Sequence, residues 1–327
     1  MQKIDTHAHI MYKEYQDELI KRGWWSKDAP PLIEDETEAD WKAYAEAQIA
    51  EMDKLDIERQ VLTCPTFSAC NLADDEFNLH WAQASNNYLA EICRKYPDRF
   101  LGFVSVPLCN VSYAVDELKR ATKARGMVGV AIGSHVGEIT LDSPELMPFY
   151  EEVNKLGLTI FIHPTLPIGI EQTPGYERFA NLYKFISFLF DTTMAVTRMA
   201  YRGIFEKYEK INLIASHLSG MLPFVYPSID IMWEMMKRDG QETPPQKPSE
   251  YFKRFYVDTA RPLTEATLHC ALGLFGDEHV LFGSDIPNWM EEFQAPRRIT
   301  SAIEGMGLPA ETEENIFYRN AKNLFKL

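Results

Sequence analysis

Two histidines separated by one residue close the first apolar run of the chain, Lys3-Ile4-Asp5-Thr6-His7-Ala8-His9. Side chains alternate between the two faces of an extended strand, so residues i and i+2 share a face, and two imidazoles there can grip one ion. A lone His-x-His pair is served as well by two polar residues on a half-buried strand. Three further residues shift that balance. His163 follows Thr159-Ile160-Phe161-Ile162, His217 follows the run Asn212–Ser216, and Asp285 follows Val280-Leu281-Phe282 across Gly283-Ser284. Imidazoles with a carboxylate suit Zn²⁺ first, with Mn²⁺ or Fe²⁺ as alternatives. Such an ion polarises an oxygen or lowers the pKa of bound water to about 7. A histidine beside it titrates near neutrality and can move a proton.

That chemistry requires the runs to be strands whose ends meet. Eight segments, each β-branched or aromatic-rich, read as strands: Lys3–Thr6, Arg59–Thr63, Phe100–Val106, Gly129–Ile132, Thr159–Ile162, Asn212–Ser216, Phe255–Val257 and Val280–Phe282. Helical patterns lie between them. Val111, Ala114, Val115, Leu118 and Ala121 make one apolar stripe. Asp142-Ser143-Pro144-Glu145 reads as a helix start and Gly157 as its end. Eight strands alternating with helices give an α/β protein with a parallel sheet, the number that closes a (β/α)8 TIM barrel. An open doubly wound sheet would carry a glycine-rich phosphate turn after its first strand; here no glycine occurs before Gly23. Barrel active sites lie at the C-terminal ends of the strands, so five metal-competent residues from four strands converge on one mouth. Strand four ends in Val130-Ala131-Ile132-Gly133 without a lysine or a further carboxylate, which argues for one divalent ion rather than a bridged pair. Residues 1–327 read as a single barrel domain with an excursion at 11–42 after the first strand. A polar, proline-rich loop occupies 239–249.

The chain of 327 residues is 46% hydrophobic and 25% charged, enough to bury a core without disulfides. Its five cysteines (Cys64, Cys70, Cys93, Cys109 and Cys270) are scattered, with no CxxC pair, as in a protein of the reducing cytoplasm. No leader peptide and no membrane-length apolar run is read, so a cytoplasmic location is expected. A net charge of −15 argues against nucleic acid or an anionic membrane as partner. It leaves open a small anionic substrate, because a cation deep in a cleft reverses the local field.

His-x-His on strand one, histidines after strands five and six, and an aspartate after strand eight together resemble the amidohydrolase superfamily. Gly133-Ser134-His135-Val136, the stretch from Glu151-Glu152 to His163-Pro164, and Gly203-Ile204-Phe205-Glu206-Lys207-Tyr208 resemble its decarboxylase branch, which includes the aminocarboxymuconate-semialdehyde, γ-resorcylate and 5-carboxyvanillate decarboxylases. The likeness spans nearly the whole chain. It implies that His7, His9, His163 and Asp285 are metal ligands, that His217 is the acid–base residue beside them, and that the protein is a homodimer. Asp285, His217 or a metal-bound water could then supply the proton that replaces CO₂. Two positions depart from the aminocarboxymuconate enzyme. Gln48 replaces an arginine in the helix before Met52-Asp53, and Val225-Tyr226-Pro227-Ser228 follows Pro223-Phe224 where a second arginine is expected. Glutamine and serine do not reproduce the bidentate charge pairing of an arginine fork, which argues against that particular substrate.

The expected activity is a metal-dependent, non-oxidative decarboxylation of a small carboxylated aromatic or muconate-like acid. The alternative is hydrolysis of a lactone, ester or amide by metal-activated water, and a third class is a non-enzymatic metal-binding protein. Arg261, after strand seven, can clamp a substrate carboxylate or simply precede a helix. Asp258 can orient a ligand histidine or cap that helix. His135 either lines the pocket or makes a structural hydrogen bond. Trp24, Phe67 and Trp289, in loops after strands one, two and eight, are candidate walls of an aromatic pocket, as is Trp25. His80, His269 and His279 read as structural.

Overall fold

Eight short strands run side by side in one direction, each delivered to its neighbour through helical connections. They are β1 (Lys3–His9), β2 (Ile57–Thr63), β3 (Phe100–Ser105), β4 (Met127–Gly133), β7 (Thr159–His163), β8 (Asn212–Ala215), β9 (Tyr256–Asp258) and β10 (Val280–Leu281), paired in that order. This computed structural model describes residues 1–10, 13–22, 38–65, 74–165, 167, 169–261, 263–286 and 295–327. The sheet closes on itself through backbone bonds from Thr6 N to Phe282 O (2.9 Å), Asp285 N to His7 O (2.8 Å) and His9 N to Ile286 O (2.7 Å). All eight expected strands are present, and the architecture is a (β/α)8 barrel.

The longer helices among the described residues are α1 (Lys13–Lys21), α2 (Glu38–Lys54), α3 (Asp75–Lys95), α4 (Val111–Ala121), α5 (Met147–Leu156), α6 (Tyr176–Tyr201), α7 (Leu222–Arg238), α8 (Glu265–Phe275) and α9 (Ala295–Glu304). In α4 the stripe packs as its spacing demands: Ala114, Leu118 and Ala121 are buried and Val111 and Val115 lie against the core. Asn110 caps the helix by accepting from Tyr113 N at 3.1 Å. Pro144–Leu146 forms a 3₁₀ turn that leads into α5, which Gly157 ends in the left-handed conformation. Two details differ from the expectation. A small antiparallel hairpin, β5 (His135–Val136) with β6 (Ile139–Thr140), follows β4. The loop expected over 239–249 ends early, because Pro248–Phe252 is a short helix started by the proline. No helix among the described residues is long and apolar enough to cross a membrane.

Side chains fill the barrel interior. Ile4, Val61, Leu101, Phe103, Ala131, Phe161, Ile214 and Leu281 form this inner cluster, while Ala8, Leu62, Val104, Val130 and Ile162 join the larger cluster under the helices. Alternation holds along β7, whereas in β1 the phase changes between Ile4, which joins the inner cluster, and Ala8, which joins the outer one. There Asp5 to Ala8 spans three residues against two on β2, Gln60 to Leu62. This one-residue bulge reverses the phase of the strand. Ile4 points inward below it, and His7 and His9 point inward above it. Without the bulge the two histidines would face the helices.

The α4 stripe carries a stability prediction. Replacing the fully buried Leu118 with alanine should cost about 2–5 kcal/mol through lost burial and the cavity left behind, read as a lower urea midpoint with unchanged slope. A loss below about 0.5 kcal/mol, the range of surface substitutions, would contradict this packing.

Candidate metal centre

Inside the mouth of the barrel, β1, β7 and the segments after β8 and β10 bring four imidazoles and one carboxylate together. The rings of His7 and His9 are 5.0 Å apart, His9 and His163 4.8 Å, His163 and His217 5.5 Å, and His7 and His217 5.0 Å between centroids. His7 and His9 lie within β1 rather than after it, and His163 is the last residue of β7. Asp285 follows β10 after a short extended segment. Gly283 in that segment is needed for close approach: a Cβ there would stand 2.9 Å from His7 Cβ and 3.0 Å from Asp258 Cβ.

Each inner imidazole is tied from behind by its Nδ1. His7 Nδ1 lies 3.0 Å from Asp258 Oδ2, His9 Nδ1 2.6 Å from Thr63 Oγ1, and His163 Nδ1 2.9 Å from Pro164 O. Thr63 in turn donates its hydroxyl to Ala8 O at 3.2 Å. Nδ1 is thus the donor in each ring, which sends the Nε2 lone pairs of His7 and His9 toward the centre. Those two atoms are 3.1 Å apart, and Asp285 Oδ1 stands 3.4 Å and 3.0 Å from them. Ligand atoms of His7, His9, His163 and Asp285 all lie within 4.8 Å of one another. Electron-rich atoms this close require a positive charge between them. Donor separations of roughly 3–3.5 Å are those of a tetrahedral ion with bonds near 2.0–2.1 Å. The cluster therefore fits a divalent metal.

The titration behaviour points the same way. Burial disfavours a charge on His7, yet Asp258 and Asp285 outweigh it and push its pKa up to about 10. In the metal-free protein that proton supplies the missing positive charge. Burial, together with the neighbouring imidazoles, holds His163 well below its ordinary value, and burial also lowers His9. For Asp285 burial opposes ionisation, but the imidazoles of His217, His7 and His9 hold the carboxyl well below the usual range. His217 is neutral, lowered to about 4 by burial and by the nearby Arg261 and His7.

His217 sits on a strained turn. His217, Leu218 and Ser219 all have left-handed backbones, with φ of 56°, 55° and 60°. Asp258 Oδ1 accepts from His217 N at 2.9 Å and from Ala260 N at 3.1 Å, so one carboxylate holds both the His7 ring and the His217 backbone. Thr193 on α6 accepts from Met221 N at 2.8 Å and donates to Ser219 O at 3.3 Å. His217 Nε2 is buried 3.5 Å from Asp285 Oδ2, an ion-pair separation rather than a hydrogen bond.

Of the other candidates, Arg261 is brought to the mouth. Its guanidinium is largely buried, lies 5.4 Å from the Phe185 ring of α6, and has a buried Nε with no hydrogen-bond partner among the described residues. Asp258 orients His7, and the cap of α8 is Thr264 instead, through its bond with Thr267. His135 makes a structural bond, Nδ1 to Gly137 O at 2.8 Å. Trp24, Trp25, Phe67 and Trp289 lie outside the described residues. Gln48 does not serve the mouth: its amide donates to Gln60 Oε1 at 3.0 Å, between α2 and β2. Phe224 is 82% exposed at the start of α7. Sequence reasoning missed Thr63 and the buried set Asp5, Gln60 and Ser284; the one available signal was a carboxylate two residues before His-x-His in an apolar run.

Comparison with known proteins bears on this centre. A family model described as amidohydrolase matches residues 4–327. The chain is 29% identical over 331 residues to the 2-amino-3-carboxymuconate-6-semialdehyde decarboxylase of Dictyostelium discoideum, covering 98% of this chain and 90% of that one. It is 26% identical over 294 residues to the γ-resorcylate decarboxylase of a Rhizobium species, covering 84% and 85%. The crystal structure of 5-carboxyvanillate decarboxylase from Novosphingobium aromaticivorans, complexed with manganese and 4-hydroxy-3-methoxy-5-nitrobenzoic acid, superposes with a TM-score of 0.84 at 23% identity, over 100% of this chain and 96% of that one.

A metal entering this cluster must displace the proton on His7. Mn²⁺ binding at pH 8 should release about one proton, measured as the dependence of the calorimetric heat on buffer ionisation enthalpy, and affinity should rise with pH toward about 10. A heat independent of buffer would show that His7 is neutral before the metal arrives.

Proposed function

The chain belongs to the amidohydrolase family, and we propose that it is a metal-dependent, non-oxidative decarboxylase of a small carboxylated aromatic or muconate-like acid. Its decarboxylase relatives support the reaction class. The observation that carries the reading for this chain is Arg261, a desolvated guanidinium whose Nε has no hydrogen-bond partner among the described residues, at the mouth that also holds the His/Asp cluster. A buried cation in that state is the natural receptor for a substrate carboxylate.

His7, His9, His163 and Asp285 would hold one metal ion. Zn²⁺ is the ion proposed, and the same donors suit Mn²⁺ or Fe²⁺. The ion, when bound, supplies Lewis-acid polarisation and a fixed positive charge at the substrate oxygens. The remaining work belongs to the side chains. Arg261 orients the carboxylate, and Phe185 backs its guanidinium. Loss of CO₂ leaves the electron pair of the broken C–C bond on the ring carbon, which must take up one proton. That proton comes from solvent, and His217 Nε2, which faces Asp285, is the atom proposed to relay it to the ring carbon, with Asp285 as its partner. No oxidant is required.

The whole chain is proposed to act as one barrel domain in the cytoplasm, where the free thiols of Cys64, Cys93, Cys109 and Cys270 would stay reduced. A homodimer is proposed as well, supported by exposed apolar side chains along α6 (Ile186, Phe190) and α7 (Phe224, Ile231, Met232).

The test is CO₂ release by metal-loaded protein across hydroxybenzoates and carboxymuconates. Arg261→Ala should lower kcat/KM by about 10- to 150-fold, the worth of a charge-assisted hydrogen bond of about 1.5–3 kcal/mol. His217→Ala should lower kcat by about 10²–10⁴-fold while leaving the metal content of the purified protein unchanged. Cleavage of lactones or esters with no CO₂ from any acid would instead make the protein a hydrolase.

A further inference from the structure

The bulge in β1 leaves a question about what holds it. Ile4 faces the barrel interior and Ala8 the outer cluster, so plain alternation from Ile4 would turn His7 and His9 away from the mouth. The extra residue between Asp5 and Ala8 also displaces the His7 amide from the regular ladder. That amide donates to Asp5 Oδ1 at 3.2 Å. The same carboxylate reaches the other end of the site: Oδ1 accepts from Ser284 N at 3.0 Å and Oδ2 from Ser284 Oγ at 2.6 Å. A fourth donor, Gln60 Nε2, reaches Oδ2 at 2.9 Å and is itself steadied by Gln48.

We propose that Asp5 is the positioning residue of the centre: through the His7 amide and Ser284 it fixes both the phase of β1 and the backbone of Asp285. This rests on the reading of the cluster as a metal site. Asp285 directly follows Ser284 and has a left-handed backbone, φ 59°, a conformation uncommon outside glycine that sets the direction of its side chain. With Ser284 held on one side and Asp285 N donating to His7 O at 2.8 Å on the other, the carboxylate of Asp285 is aimed at the two Nε2 atoms. Asp5 touches none of the ligating atoms. It is fully buried, a costly place for a carboxylate unless its lone pairs are met, and all four donors that meet it belong to the strands that carry the site or to the layer beneath them. Oδ1 joins the His7 amide to the Ser284 amide, and Oδ2 holds that bridge in place through Ser284 Oγ and Gln60 Nε2.

The experiment compares the wild type with Asp5→Asn and Ser284→Ala by Mn²⁺ titration of the apoprotein, and by the imidazole resonances of ¹⁵N-histidine-labelled apoprotein, with thermal melting as the check of folding. Asp5→Asn should weaken Mn²⁺ binding by about tenfold or more, as loss of outer-shell support does elsewhere. The His7 and His9 resonances should move while those of His269 and His279 stay put. Ser284→Ala should act in the same direction by a smaller factor. Folded Asp5→Asn protein that binds Mn²⁺ within twofold of wild type overturns the proposal. Should that variant not fold, Ser284→Ala decides by the same criterion. A wild type that binds no metal overturns the metal-site reading instead, and the resonances then judge Asp5 alone: unmoved His7 and His9 signals overturn it.

Discussion

Two imidazole nitrogens and a carboxylate oxygen lie within 3.4 Å of one another in a site closed to bulk water, and the surrounding structure is arranged to bear that repulsion. Lone pairs this close are tolerated only where each group is braced from behind and a positive charge stands between them. Asp258, Thr63 and the Pro164 carbonyl brace the three inner rings. Asp258 and Asp285 favour a proton on His7, and a cation fits the same position. The family's barrel supplies the rigidity: the bracing groups lie on β2 and β9 and directly after β7, so the ligands are held by the strands themselves.

Strain accompanies the chemistry. The non-glycine left-handed residues include three consecutive ones, His217 to Ser219, and Asp285. Each such residue costs of order 1–3 kcal/mol and persists because neighbours over-determine it. In the turn from His217 to Ser219, Asp258 holds the His217 amide, and Thr193 of α6 holds Ser219 O and Met221 N. Helix α6 also carries Phe185 against Arg261 and Asp191 against Ser134, so one long helix ties together the ends of β4, β8 and β9. The proposed carboxylate receptor and the proposed proton-transfer residue are thereby referenced to the same element.

The barrel was legible because its signals are local. Short β-branched runs such as Thr159–Ile162 and stripes such as Val111 to Ala121 need only their own periodicity to be read, and the order of strands follows from short right-handed connections. The residues meant for the site were legible because strand ends in a barrel share one mouth. Their bracing was not. Thr63 and Ser284 look like ordinary polar residues, and Gln48, far from His7 in sequence, gives no hint that it supports Gln60 and Asp5. The choice between two roles for Asp258 also needed distance, since carboxylates both cap helices and hold histidines.

By itself the sequence determined the α/β barrel, the His/Asp set at its mouth and the amidohydrolase resemblance, because these depend on residue type and spacing along the chain. Tertiary structure decided which way the set points. Plain alternation along β1 gives the wrong face once Ile4 is placed inside, and the bulge that corrects it is held by contacts from β2 and the segment after β10, residues 55 and 279 positions from Asp5. It also decided the state of Arg261, whose burial, and whose lack of a hydrogen-bond partner at Nε among the described residues, depend on what the rest of the chain brings near it. Spacing reports which residues can meet; only packing fixes their phase, their protonation and what they are left to bind.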